Sequence, residues 1–360
     1  MLRAFDKWLL PWLLRRRPRA GGGPRHVMLA VCDHFEPLHG SDREGALRRL
    51  EIWRREFPRF AADFRDADGQ PPRHTFFYPI EQYDPGLLAP LAELCHQTGS
   101  EVEIHLHHDR DTPEGLTAAL EQGKRDLAAH GLLARDASGS VRYGFIHGNW
   151  ALNHSHPDGL GCGVEREIPI LRQTGCYADF TMPSAPSPTQ ARVVNTIGYL
   201  PDLPGRRAID GLEPAAVGRT VAWRDDPRRL LAIQGPLALN TGRRKWGLIP
   251  RVENGDLTGA NPATLQRLGV AIAEAIHVEG QPEWVFVKYH THGGIESNFH
   301  MLLGDAMRRF HNDLASLDRF GCRLHYVSAR EMANLVHAAE DGATGDPGAH
   351  RDHVFIRSSP

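Results

Sequence analysis

Four separate apolar runs in this chain end in imidazole or carboxylate side chains. The run from residue 26 ends in Asp33-His34, with Glu36 just beyond. The run 101–107 reads EVEIHLH, so strand alternation puts His105 and His107 on one face and Ile104 and Leu106 on the other. His108 and Asp109 follow at once. The run 141–147 ends in His147, followed by Asn149 and Trp150. The run 283–290 places Lys288, His290 and His292 on a single face. One polar residue at a strand end is ordinary, but four ends of this kind point to a shared pocket. Imidazoles with carboxylates and no thiolate pair suit a divalent transition metal, zinc first, with nickel, cobalt or iron as alternatives.

These ends have to be positioned by a regular framework. Short strand candidates lie at 26–33, 74–79, 101–107, 141–147, 175–181, 229–235, 283–290 and 322–328. Helical patterns with start and stop signals lie between them. Ser41-x-x-Glu44 and Ser328-x-x-Glu331 read as capping boxes, and Thr112-Pro113 opens another helix. Pro58 should break or kink the first of these helices. Further helices are expected over 86–98, 165–174, 262–277 and 298–320. The alternation predicts an α/β fold, a distorted (β/α) barrel of seven or eight strands, with a doubly wound sheet as the alternative. The barrel is preferred because polar residues gather at strand C-terminal ends. The barrel domain should span residues 25–340. Its Pro- and Gly-rich stretch 182–260 should supply loops or a lid, and 341–360 a loosely packed tail.

Composition narrows the function classes. The chain has 360 residues with formal net charge −2, which removes the main electrostatic argument for nucleic-acid binding. Its 21 His are the departure from ordinary usage. Five Cys (Cys32, Cys95, Cys162, Cys176, Cys322) form no C-x-x-C pair, so neither a disulfide framework nor a zinc knuckle is expected. No run is long enough to span a bilayer. Residues 1–24 form a basic amphipathic segment. Trp8 and Trp12 stand near Arg15, Arg16 and Arg17, an arrangement suited either to an anionic membrane surface or to docking on the protein itself. The expected location is cytoplasmic, with peripheral contact at the inner membrane face through residues 1–20.

The strand-end residues resemble the polysaccharide deacetylase (NodB-homology) family, as a divergent branch. The resemblance rests on Asp33-His34-Phe35-Glu36 at the first strand end, on His105-x-His107 with His105-x-x-x-Asp109 in EVEIHLHHD, and on His290 with His292 in VFVKYHTH. It covers residues 25–338. It implies a metal-dependent hydrolase that removes an acyl group, N-acetyl first, from a sugar or polysaccharide in surface-polysaccharide metabolism. Asp33 would be the base, with a role as metal ligand left open. His34, His105 and His107 would hold zinc, with Asp109 as a substitute for one of them, and His290 would be the acid. His147, Asn149, Trp150, Lys288, His292 and Asp179 would contact the acylated saccharide. The His154–Gly159 loop and Arg251, Glu253 and Asn254 are further candidates for hydroxyl contacts. Two other classes remain: a non-catalytic carbohydrate- or partner-binding relative, and a glycoside hydrolase using Asp33 or Glu36 with Asp179.

Overall fold

A strand buried on both faces reads as a nearly continuous apolar run. Along Arg25–His34, Val27 and Leu29 enter one apolar cluster while Met28, Ala30 and Cys32 enter another. This strand is the axis of the molecule. The computed structural model describes residues 4–18, 24–205 and 207–358.

In chain order the first elements are α1 (Phe5–Leu14), β1 (Arg25–His34), α2 (Arg43–Ala62), β2 (Thr75–Pro79), α3 (Pro85–Thr98) and β3 (Glu101–Leu106). Next come α4 (Pro113–Ala128), β4 (Ala134–Arg135), β5 (Val141–His147), α5 (Glu167–Thr174), β6 (Cys176–Asp179), β7 (Ile197–Pro201) and β8 (Glu213–Pro214). The chain continues through β9 (Arg229–Ile233), β10 (Ala238–Lys245), β11 (Ile249–Glu253), β12 (Asp256–Leu257), α6 (Leu265–Ala273) and β13 (Trp284–Thr291). It ends with α7 (Glu296–Leu302), α8 (Asp305–Leu314), β14 (Cys322–Tyr326), α9 (Ala329–Glu340) and β15 (Ile356–Arg357).

Thirteen of these strands, among the described residues, form one mostly parallel sheet in the order β12-β13-β1-β2-β3-β5-β6-β9-β7-β8. β14 lies on β1 beside β2, while β4 and β15 extend from β5. The fold is therefore mixed α/β. The pairing among described residues has two ends, β12 and β8, so closure of the sheet into the distorted barrel of seven or eight strands that the pattern suggested is not shown. The sheet nevertheless curls. Lys288 on β13 reaches from one side to the Phe180 and Met182 carbonyls just past β6 on the other. The stretch 182–260 extends the sheet antiparallel through β7 and β8 and adds a separate hairpin, β10–β11.

Helices α2 to α8 cover the outer face. Asp42, rather than Ser41, caps α2 by accepting the Gly45 N–H at 2.8 Å. The helix carries on through Pro58, burying Trp53, Phe57 and Phe60 against the sheet. The pattern at 298–320 resolves into α7, α8 and a short 3-10 turn. Helix α9 is different, because every residue in it is buried. Its capping box forms as expected. The Ala329 N–H donates to Thr75 Oγ1 at 2.9 Å, Arg330 pairs with Glu101 at 2.9 Å, and Glu340 accepts the Tyr199 hydroxyl at 3.0 Å. It thus crosses the inner face near the N-terminal ends of β2 and β3 and leaves the C-terminal ends free.

Described residues near each end of the chain pack on this body. Trp8 of α1 is buried with Ala185, Val194 and Leu237. Arg15 and Arg17 bind Glu274. Residues 341–358 pack on the body where a loose tail was expected: Phe355 enters the core and β15 pairs with β4.

Candidate metal centre

Strand register brings the polar ends together. Cys32 on β1 is opposite His290 on β13, His34 is opposite Phe77 on β2, and Pro79 is opposite His105 on β3. The rings of His34 and His105 meet edge to face at 4.8 Å between centroids, and His34 lies 4.8 Å from His292 and 6.0 Å from His290. Trp150 stands 6.0 Å from His34 and 6.3 Å from His292. Its backbone is left-handed, with φ 54°.

Three donors converge most tightly. Glu36 Oε1 is 3.1 Å from His105 Nε2 and 3.1 Å from His107 Nε2. The outer nitrogen of each ring is held from behind. His105 Nδ1 donates to the Ile146 carbonyl at 3.0 Å, and His107 Nδ1 faces Glu81 Oε1 at 2.7 Å. Such outer partners fix the tautomer and aim the inner nitrogen, as they do around bound metals. Room for the His107 ring depends on Gly148, where a Cβ would lie 2.4 Å from that ring.

The electrostatics fit a cation. Burial lowers the His105 pKa, favouring its neutral form. With its proton on Nδ1, His105 presents a bare Nε2 to a carboxylate oxygen, and only a cation or proton relieves that meeting of lone pairs. Burial pulls His107 down as well, but its hydrogen bonds to Glu36 and Glu81 outweigh burial and raise it to about 9. Burial would raise Glu36, yet its contacts with the His105 and His107 imidazoles hold it well below the carboxylate range. His34 and His290 are pushed well below the usual imidazole range, by burial first and by neighbouring cationic groups second. The buried His34 Nδ1 has no hydrogen-bond partner. Two imidazoles and a carboxylate with oriented outer nitrogens form a donor set that fits a divalent metal such as zinc.

The remaining residues singled out by sequence fall in several places. His34, His105, His107, Trp150, His290 and His292 are brought together on the inner face. Lys288 shares that face, but its ammonium is buried against the Phe180 and Met182 carbonyls. Asp33 faces the helical layer. Its carboxylate takes His74 Nε2 at 2.8 Å and the Gly293 N–H at 2.6 Å, under Trp53. Asp109 accepts the Gly161 N–H at 2.7 Å in an exposed loop. His147 packs on His108, with ring centroids 4.7 Å apart, also outside the sheet. Asp179 accepts the Thr181 hydroxyl at 2.6 Å, and burial raises it to about 7. Asn149 spends its amide on the carbonyls of His108 and Gly161. His154 Nδ1 accepts the Gly163 N–H. Glu253 is ion-paired with buried Arg267 at 2.6 Å, and Asn254 binds the Ala185 carbonyl. Of the carboxylates offered to pair with Asp179 in a glycoside hydrolase, Asp33 is spent on His74 and the Gly293 N–H, and Glu36 is engaged by His105 and His107.

Spacing alone does not reveal Glu36 as a metal donor or Glu81 as the carboxylate behind His107. Both stand just past a strand C-terminal end, the signal that found the histidines.

No family model matches the chain, and no curated protein matches it. Among solved structures, a candidate polysaccharide deacetylase from Mycobacterium smegmatis is similar in fold, with TM-score 0.47 and 14% identity over 90% of this chain and 95% of that one.

Proposed function

We propose that this protein is a metal-dependent hydrolase that removes an acyl group, most simply N-acetyl, from a sugar or polysaccharide of the cell surface. The observation that carries this reading is the meeting of His105 Nε2 and His107 Nε2 on Glu36 Oε1, each at 3.1 Å, with both outer nitrogens anchored. In this reading Glu36, His105 and His107 hold the ion. When bound, a divalent ion there supplies Lewis-acid polarisation of an acyl oxygen and makes water acidic enough to attack near neutral pH.

The chain's own groups handle the protons. His34 Nδ1 is buried, neutral and unclaimed, so it accepts the proton from attacking water. The proton taken up by His34 passes to His290, also neutral at rest and 6.0 Å away between ring centroids, and from there to the departing amine or alkoxide, which leaves both rings neutral. Asp33 is a positioning residue in this scheme. Its grip on the Gly293 N–H fixes the turn that presents His292. The indole of Trp150 offers a flat apolar surface for a sugar ring.

Peripheral contact with an anionic membrane is part of the same proposal. Leu10, Leu13 and Leu14 are exposed on the outer side of α1, and Trp246, Leu248 and Ile249 are exposed at the tip of the β10–β11 hairpin. Arg243, Arg244, Lys245 and Arg251 flank that tip, a composition suited to an anionic lipid surface.

The test is acetate release from an N-acetylated oligosaccharide by zinc-loaded protein, compared with chelator-stripped protein and with Glu36→Gln. The reading expects release only from the loaded wild type. Equal release by all three would remove the metal from the reaction, and no release by any would remove acyl hydrolysis.

A further inference from the structure

We propose a second metal site, independent of the first and structural in role, formed by His108, His147, Cys162 and Glu167. These four lie on the outer face of the sheet, whereas Glu36, His105 and His107 lie on the inner one. His107 and His108 are chain neighbours at the end of β3 and serve opposite faces. His147 is the last residue of β5, Cys162 sits in the loop between β5 and α5, and Glu167 opens α5.

One donor atom from each residue lies within 4.8 Å of the others. Glu167 Oε1 is 3.3 Å from His108 Nε2 and 4.0 Å from His147 Nε2, and Cys162 Sγ is 3.8 Å from Glu167 Oε2. The 3.3 Å and 3.8 Å contacts are weak hydrogen bonds, and the 4.0 Å separation is too long for one. They approach the edges of a tetrahedron around zinc, about 3.3–3.6 Å for bonds of about 2.0 Å to nitrogen or oxygen and about 2.3 Å to sulfur. The donors are two imidazoles, one thiol and one carboxylate, a composition that tetrahedral zinc accepts.

The second observation is an orphan. His147 is fully buried, and its Nε2, aimed at Glu167, has no hydrogen-bond partner. A buried polar atom without a partner is costly unless something else meets it. His108 Nδ1 lies 3.1 Å from Asp111 Oδ2 without making a hydrogen bond to it, so this carboxylate stands behind the ring as a nearby charge. Cys162 and Glu167 are fully buried too, which leaves no room for bulk water around the cluster.

Binding releases protons. The Cys162 thiol loses its proton to solvent as the sulfur bonds the ion. The His147 ring proton moves to Nδ1 and frees Nε2, at the cost of the 3.2 Å contact from the Asn149 N–H. The gain is mechanical. Residues 148–166 contain little regular structure, and the ion would tie this loop to β3, β5 and α5 at once.

The test uses cobalt on the full-length chain, because cobalt bound to a thiolate gives a near-ultraviolet charge-transfer band and the inner site has no sulfur. The wild type should bind two equivalents, one of them with that band. Cys162→Ser and, separately, His147→Asn should bind about one equivalent, with the band absent in Cys162→Ser. Glu36→Gln should also bind one equivalent but keep the band, so loss of the inner site reads differently from loss of the outer one. Circular dichroism checks that the variants fold. Absence of the band in wild type overturns the site without any variant, and an undiminished band in Cys162→Ser overturns it as well.

Discussion

Removing the carboxylate behind His107 should weaken metal binding without touching any proposed ligand. Glu81 Oε1 lies 2.7 Å from His107 Nδ1, while His107 Nε2 faces Glu36 at 3.1 Å. In Glu81→Ala the His107 ring is free to rotate and loses a strong orienting partner. Deletion of such an outer partner typically costs about 10- to 100-fold in metal affinity, equivalent to about 1.4–2.7 kcal/mol. A second effect runs with it. In the metal-free protein the His107 pKa is about 9, so an incoming ion must displace a proton at neutral pH. Apparent affinity for wild type should therefore rise about tenfold per pH unit from 7 and level off near 9. Without Glu81 one of the two carboxylates that hold this proton is gone, and the bend should move to lower pH. Glu81→Gln keeps an acceptor for Nδ1 but not the charge, so it should retain more affinity than alanine while still shifting the bend. The assay is zinc titration against a competing chromophoric chelator at several pH values. Wild-type affinity and an unmoved bend in Glu81→Ala would refute the coupling of Glu81 to the site.

Gly148→Ala should fold but bind metal at the inner site at least tenfold more weakly, because its Cβ would lie 2.4 Å from the His107 ring; the same chelator titration checks this. His311 is buried between Phe60 and Phe64, and burial depresses it to about 3 against an ordinary 6.5. The unfolded chain takes up this proton first, so stability should fall as pH drops from 6.5 towards 3, by about 2.3 kcal/mol over the first two units. His311→Leu should flatten that part of the profile in urea denaturation, and an unchanged slope would remove His311 as its source. Replacing Leu10, Leu13 and Leu14 together by Ser should release the protein from phosphatidylserine vesicles in co-sedimentation while leaving its melting temperature near wild type, since all three are exposed. Equal binding would place any membrane contact elsewhere.

Much of the framework is legible in the chain because its strands are short apolar runs between capped helices. The runs at β1, β2, β3, β5, β6, β9, β13 and β14 all become strands. The side of the sheet is harder to read. Both faces of β1 are apolar, so alternation separates Asp33 from His34 without saying which one points inward. His147 is the same case, because it shares a face with Tyr143 and Phe145 in the outer cluster. His105 and His107 are easier, since Glu101 and Glu103 mark their side of β3 as different from Val102 and Ile104. Glu36 and Glu81 escape because each lies beyond a strand end, where period-two reasoning stops and turn geometry takes over. The β10–β11 hairpin escapes for a related reason: its run of Arg, Lys and Gly lacks the buried face that announces a strand. Pro58 misleads because helix α2 tolerates it near its C-terminal end, where the packing of Trp53, Phe57 and Phe60 outweighs one lost backbone bond.

The central claim is that Glu36, His105 and His107 bind one divalent ion at the mouth of the inner face. An anomalous-difference map at the zinc edge, from crystals of zinc-loaded protein, tests it most directly. The prediction is a peak about 2.0–2.2 Å from a Glu36 carboxylate oxygen, His105 Nε2 and His107 Nε2. Glu36 still bridging the two imidazoles with no peak between them, in crystals where zinc is bound elsewhere, would contradict the account.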